Sequence, residues 1–418
     1  MDPQFRAKTR TRVVLPLIAC GVAASLATSA RAQANPALTS DAAIARALSR
    51  NPDLLTAQLR VDSAGAERRI AAGLPNPTLS ATPGSPSQYA VQLPIDVGPA
   101  RHFRIRVAGE GVNAARFDVL DARRQVVFNV RQAFYDALLA DSLRSLAADQ
   151  VATFRELLAA DSARLASGSI AERDVVATRL QLAHAEAVLA RAVVQQHTTR
   201  LALEAVSGGT TIDTSLLISG SLAYRPIDIA PDSVVTVALR RRPDYLAAET
   251  RVTQSSSALS LARANLIPVP VIGGVYQPAQ AFASGAYVAP SIGLTVPVLY
   301  AFGGERARAR SSLAAARVQA DRTALQIRAD VTLAFDGYRS ARELADRYAC
   351  GLLVDAAGAL EAARYAYTRG ATALPDLLEA VRAYADTRSD YLTAVHDYWV
   401  SIFALERATG IDFVPAAP

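Results

Sequence analysis

Along most of the chain the hydrophobic positions recur at the three-and-four spacing of an amphipathic helix, and in two places they switch to strict alternation. The pattern predicts a helix over Asp41–Gly73, then strands over Thr78–Thr82 and from Gln88 to Ile95. In the second strand Tyr89, Val91, Leu93 and Ile95 share one face, and Gln88, Ala90 and Gln92 share the other. A long helix over about Arg101–Leu165 and a return helix ending at Gly208 follow. The same plan then repeats. It runs as a helix over Asp232–Asn265, a strand over Val269–Tyr276, a loop near Gln280 and a strand with Val288, Ile292, Leu294, Val296 and Val298 on one face. A helix over about Glu305–Tyr367 and a return helix ending at Gly410 complete it. The steps Asn51-Pro52 and Arg242-Pro243 are expected to break the first helix of each set, because proline has no N–H to donate and disfavours helix in the residue before it.

A helix of some 65 residues spans roughly 100 Å and needs partners along its whole length. The last helix shows where such a partner lies. Leu377, Tyr384, Tyr391, Tyr398 and Leu405 are seven apart, with Val381, Arg388, Val395 and Ile402 at the complementary spacing. This is a heptad seam with one polar exception, Arg388, and its tyrosines are expected to pack as core.

The repetition is visible in the letters as well as the pattern. A-L-S-R-N-P-D-L at Ala47–Leu54 returns as A-L-R-R-R-P-D-Y at Ala238–Tyr245, offset by 191. V-x-x-A-F occurs at Val130–Phe134 and Val331–Phe335, and Leu203-Glu204 with Gly208 returns as Leu405-Glu406 with Gly410. Blocks repeated in the same order indicate an internal duplication. The organisation read from them is a leader over 1–32, a first repeat over 33–208, a linker over 209–230, a second repeat over 231–410 and a tail over 411–418. Leu216, Leu217 and Ile218 in the linker suggest a short strand.

Each repeat has one turn between its two long helices. Gly370 is placed to end the incoming helix of the second, because glycine enters the left-handed region without steric cost. Thr372 is the expected cap and Pro375 suits the first turn of the outgoing helix. Asp376 and Glu379 then share a face of that helix. In the first repeat Gly168 and Asp174 stand in the places of Gly370 and Asp376, both 202 residues earlier.

Composition changes the picture in three ways. The chain is 51% hydrophobic and only 6% aromatic, a mix that suits long helices better than a β-rich core. The formal charge of +6 falls to +2 once residues 1–32 are set aside, which removes the case for a nucleic-acid partner. Residues 1–32 explain the difference. A basic stretch from Arg6 to Arg12, an apolar run from Val13 and Ala30-Arg31-Ala32 before Gln33 form a secretory signal peptide. Leu17-Ile18-Ala19-Cys20 is an alternative lipoprotein box, in which Cys20 would carry the lipid. The remaining cysteine, Cys350, is expected as a small core residue. No other stretch is long and apolar enough for a membrane-spanning helix.

Four strands per chain cannot close a barrel, for which about eight is the practical minimum. Backbone polar groups inside a bilayer must nevertheless be paired. Several chains must therefore each donate four strands, and three chains give a twelve-stranded barrel. The fold expected is mainly α with a small β part: long antiparallel helical hairpins forming a tunnel, and four strands for a trimeric outer-membrane β-barrel.

The duplication, L-P-N-P-T-L at Leu74–Leu79, the strand ends at Pro94 and Pro297 and the two glycine-to-aspartate tips carry a resemblance to the TolC-like outer-membrane efflux family, over nearly all of the mature chain. Gly98–Arg104 (G-P-A-R-H-F-R) and Gly303–Arg310 (G-G-E-R-A-R-A-R) are similar to the post-hairpin motif of its cobalt–zinc–cadmium branch. Where that branch carries Gly-Lys-Arg, this chain has Ala100-Arg101 and Glu305-Arg306. The resemblance implies a homotrimer in outer-membrane lipid with a periplasmic tunnel, a periplasmic adaptor (membrane fusion protein) and an inner-membrane pump of the RND type. It also implies that Asp376 and Glu379 narrow the tip, that Tyr367 helps hold it shut, and that Asp174 is their first-repeat counterpart.

Read without the resemblance, Asp376 and Glu379 are two solvated acids in a first helical turn, favoured by the helix dipole. His102, His184, His197 and His396 have no metal-ligand spacing, and Met1 is the only methionine. No nucleophile–base pair, phosphate-cradling glycine loop or Cys/His cluster is present, so no enzyme, cofactor or metal site is expected. The expected function is a passive outer-membrane exit duct of a tripartite efflux system, with heavy-metal cations as one candidate cargo. Drug efflux or type I protein secretion is the alternative cargo class, and a periplasmic coiled-coil adaptor or scaffold the alternative protein class.

Overall fold

The computed structural model describes residues 37–84, 87–209, 217–230, 234–279, 285–297 and 299–414. The expected signal peptide with Cys20, the turn residues 85–86, the loop around Gln280 and Val298 lie outside them. The first repeat contains helices α1 (Ser40–Arg50) and α2 (Pro52–Ala72), strands β1 (Thr78–Thr82) and β2 (Gln88–Pro94), and helices α3 (Pro99–Ala166) and α4 (Glu172–Val206). The second contains α5 (Val234–Arg241), α6 (Pro243–Ala264), β3 (Pro270–Gln277), β4 (Tyr287–Leu294), α7 (Gly303–Arg347), a π-helical turn (Tyr348–Leu352), α8 (Leu353–Thr368) and α9 (Leu374–Thr409).

The proline breaks fall at Asn51 and Arg242, and both residues do the same structural work. Asn51 caps α2 by accepting from the Asp53 N–H, and its amide donates to the Val206 carbonyl at the end of α4. Arg242 donates to the Ala408 carbonyl at the end of α9 and pairs with Asp244 and Asp330. Each repeat thereby ties its broken entry helix to the foot of its return helix.

The strands form one antiparallel sheet in the order β1-β2-β3-β4. Tyr89 lies opposite Tyr276, Leu93 opposite Ile272, and Tyr276 and Ile272 opposite Val288 and Ile292. With Leu79 and Val91 these residues make one apolar face. The other face carries Thr78, Ser80, Gln92, Gly273 and Ser291. Leu79 is 80% exposed and Ile292 is 82% exposed, so the apolar face has no cover within the chain. The outer ladders of β1 and β4 have no partner strand among the described residues. Strand β4 ends at Leu294, so Val296 lies beyond the strand rather than on its face.

Among the described residues no helix is long and apolar enough to cross a membrane. Instead the long helices bury narrow stripes against each other. Val395, Tyr398, Ile402 and Leu405 of the heptad seam are fully buried, while Arg388 is exposed. Its tyrosines and their neighbours also hold the linker. Tyr398 donates to the Arg225 carbonyl and accepts from the Ile227 N–H, Tyr338 donates to the Ile227 carbonyl, and Trp399 donates to the Ala223 carbonyl. Leu216 is outside the described residues, and the expected linker strand is reduced to a single parallel bridge between Leu38 and Ile218.

Two expectations on the seventh helix need correcting. It is not continuous, because five residues around Gly351 wind as a π-turn, which a glycine with poor helix propensity tolerates. That turn leaves Cys350 exposed instead of buried.

Candidate functional site

The two tips are built alike. Gly168 and Gly370 both have φ of +72°, and in each a backbone N–H one residue further on bonds five residues back, Ser169 to Arg164 and Ala371 to Ala366. This is the αL stop that satisfies the last helical carbonyls. The outgoing helix of the second tip is capped differently from the expectation. Ala373, not Thr372, is the N-cap residue, and it has no side-chain oxygen to offer. Asp376 takes over the polar work, accepting from the Thr372 hydroxyl at 2.5 Å and the Ala373 N–H at 3.4 Å.

Asp376 and Glu379 are exposed at the start of α9, on the side opposite Leu374, Leu377 and Leu378, which are buried. Asp174 is half-buried and its carboxylate lies 3.5 Å from Arg173, so it is placed by its own helix and not by the second tip. The three leucines join Tyr367, Leu360 and Val381 with Val151, Phe154 and Ala185 of the first repeat in one apolar cluster. The two hairpins are thus packed together just behind their tips.

Inside that cluster sits a polar link the sequence did not reveal. Tyr367, 8% exposed, donates its hydroxyl to Asp161 Oδ1 at 2.7 Å. Asp161 is completely buried, and its Oδ2 accepts from the Thr178 hydroxyl, also at 2.7 Å. The link joins α8 to α3 and α4, so it crosses from one hairpin to the other. Burial, reinforced by the hydrogen bond to Asp161, pushes the Tyr367 pKa up to about 12, against an opposing pull from Arg164. The hydroxyl therefore stays protonated, and a donor, across the physiological range. The Arg164 guanidinium stacks over the Tyr367 ring at 4.8 Å. Arg369, the cap residue that ends α8, stacks on Tyr365. Among the described residues no group of three or more His, Cys, Asp or Glu side chains could hold a metal ion.

Residues 43–209 match the family model "Outer membrane efflux protein". The cobalt-zinc-cadmium resistance protein CzcC of Cupriavidus metallidurans is 24% identical over 387 residues, 89% of this chain and 90% of that protein. A membrane protein from Pseudomonas aeruginosa superimposes with a TM-score of 0.77 at 21% identity, covering 89% of this chain and 92% of its own. The open state of the Neisseria gonorrhoeae MtrE outer membrane channel does so with a TM-score of 0.75 at 22% identity, covering 89% and 88%. The first repeat thus carries the signature of the outer membrane efflux protein family, and nearly the whole length of the chain folds like a solved outer membrane channel.

Proposed function

We propose that three copies of this chain form the exit duct of a tripartite efflux system, fed by a periplasmic adaptor and an inner-membrane RND pump, with heavy-metal cations as cargo. Two unpaired sheet edges and an uncovered apolar face per chain support the shared barrel, since lipid tolerates neither open edges nor polar outer faces. The cargo assignment leans on the likeness to a cobalt-zinc-cadmium resistance protein. The observation that carries the gating part is the buried bond from Tyr367 to Asp161, which spans two hairpins at the tip. In this reading Tyr367 and Asp161 hold the tip shut, while Asp376 and Glu379 line its mouth with Asp174 behind them. Gly168 and Gly370 set the two turns. Disrupting the gene in its host and scoring growth on cobalt, zinc and cadmium tests the cargo. Loss of tolerance restored by the wild-type chain is the expected result. Unchanged metal tolerance with new sensitivity to organic drugs assigns the duct to drug efflux instead.

A further inference from the structure

All four connections between sheet and long helices leave from one edge of the sheet: β1 begins after α2, β2 ends before α3, β3 begins after α6 and β4 ends before α7. Around that edge the sequence is strongly biased. The last turns of α2 and α6, the first turns of α3 and α7 and the residues joining them to the strands hold nine arginines against three carboxylates. The chain from residue 33 onward carries only +2 in total, so the rest of it is net acidic. Two of the three carboxylates are already engaged: Asp96 pairs with Arg104, and Glu305 accepts from the Tyr300 hydroxyl at 2.6 Å. Arg101 and Arg104 also donate to the Ala72 and Ala71 carbonyls, which pins α3 to the foot of α2. Arg68, Arg69, Arg106, Arg263, Arg308 and Arg310 are exposed and have no side-chain hydrogen bond or ion pair among the described residues. Beside them, at the same edge, Val97, Leu299 and Tyr300 are exposed at 77%, 102% and 55%. Phe302, held at a left-handed φ of +52°, turns the chain from this apolar loop into the arginine-rich start of α7.

We propose that this collar docks anionic phospholipid headgroups of the leaflet on the helix side of the membrane, with the aliphatic and aromatic residues seated at the acyl boundary. Guanidinium groups match phosphate bidentately, clustered basic residues beside a membrane span attract anionic lipid, and aromatic residues favour the interface. The inference rests on the outer-membrane channel reading and adds to it a lipid preference.

The full mature protein, reconstituted in vesicles of phosphatidylethanolamine with one-fifth phosphatidylglycerol and re-extracted in mild detergent, tests it by the phosphatidylglycerol content of the co-purified lipid. The wild type is expected to enrich phosphatidylglycerol, less so at high salt. Arg308→Gln with Arg310→Gln should bring the co-purified lipid back toward the one-fifth bulk content, since each arginine lost weakens binding of the anionic lipid by roughly fivefold. Arg308→Lys with Arg310→Lys should retain it. Planar-bilayer conductance of the same samples reports whether the channel itself is intact. An intact channel that shows no enrichment in the wild type, or equal enrichment in the glutamine variant, overturns the inference while leaving the channel reading standing. A glutamine variant that changes only the anion/cation permeability ratio places these arginines in the lumen, and one that dissociates the oligomer places them between copies; either also overturns it.

Discussion

Removing a single oxygen, Tyr367→Phe, isolates the proposed tip lock. The ring keeps its place in the apolar cluster and its stacking partner Arg164, so packing is conserved. What is lost is the donor to Asp161, a carboxylate with no exposure and one remaining side-chain donor, Thr178. A hydrogen bond to a charged group contributes about 1.5–3 kcal/mol. If the bond exists only while the hairpins are together, its loss shifts the linked-to-unlinked equilibrium of each tip by roughly 10- to 150-fold. Three copies opening together multiply these factors. Single-channel recording in planar bilayers should therefore show a higher resting open fraction for Tyr367→Phe, with the trimer still stable in detergent. Alkaline pH probes the same bond. Because the folded pKa is raised from 10 to about 12, the stabilisation is complete below pH 10 and is lost as pH rises toward 12. An open fraction equal to wild type at neutral pH would refute the lock and leave the Tyr367–Asp161 bond as an ordinary packing contact.

Three further outcomes follow from other residues. Asp376→Asn with Glu379→Gln should lower the cation/anion permeability ratio, since two exposed acids per chain raise cation concentration at a shared mouth; an unchanged ratio makes them plain solvated helix-start residues. Burial disfavours a charged His396, but hydrogen bonds to Asp136 and Asp397 outweigh it and raise its pKa, so its ionic link between α9 and α3 is complete below about pH 6.5 and fades as pH rises through the raised value. His396→Gln should thus cost about 1–3 kcal/mol at pH 5.5 and less at pH 9, read from thermal melts in detergent at each pH. Intact-mass spectrometry of the mature chain should find Gln33 at its start; a mature chain beginning with acylated Cys20 would establish the lipoprotein alternative.

The architecture was legible because long periodic helices and alternating strands leave a pattern in every turn, and the duplication let each half support the other. Strand β1 falls on the span read from alternation, and both tip glycines adopt the positive φ expected of them. The lock was only half legible. Tyr367 came with the family resemblance, but Asp161 is one aspartate among many on a 68-residue helix, and nothing local marks it as buried. Only the folded contact with a residue 206 positions away distinguishes it. The cation over the Tyr367 ring was not legible either, because Arg369, two residues away, lies on a different face and stacks on Tyr365. Arg164, from the other hairpin, fills the role instead. The π-turn was missed because one glycine in a helical run predicts weakness, not the direction in which the backbone relieves it.

Everything proposed for the tip presumes that several copies share one barrel, so the mass of the detergent-extracted particle is the most direct test. Each chain has four strands, two open edges and an uncovered apolar face, and the proposed duct closes them as twelve strands from three copies. Multi-angle light scattering or native mass spectrometry of protein extracted from outer membranes should give three times the mass of the mature chain. A stable particle of one chain that retains its β-structure would contradict the shared barrel, and with it the trimeric duct.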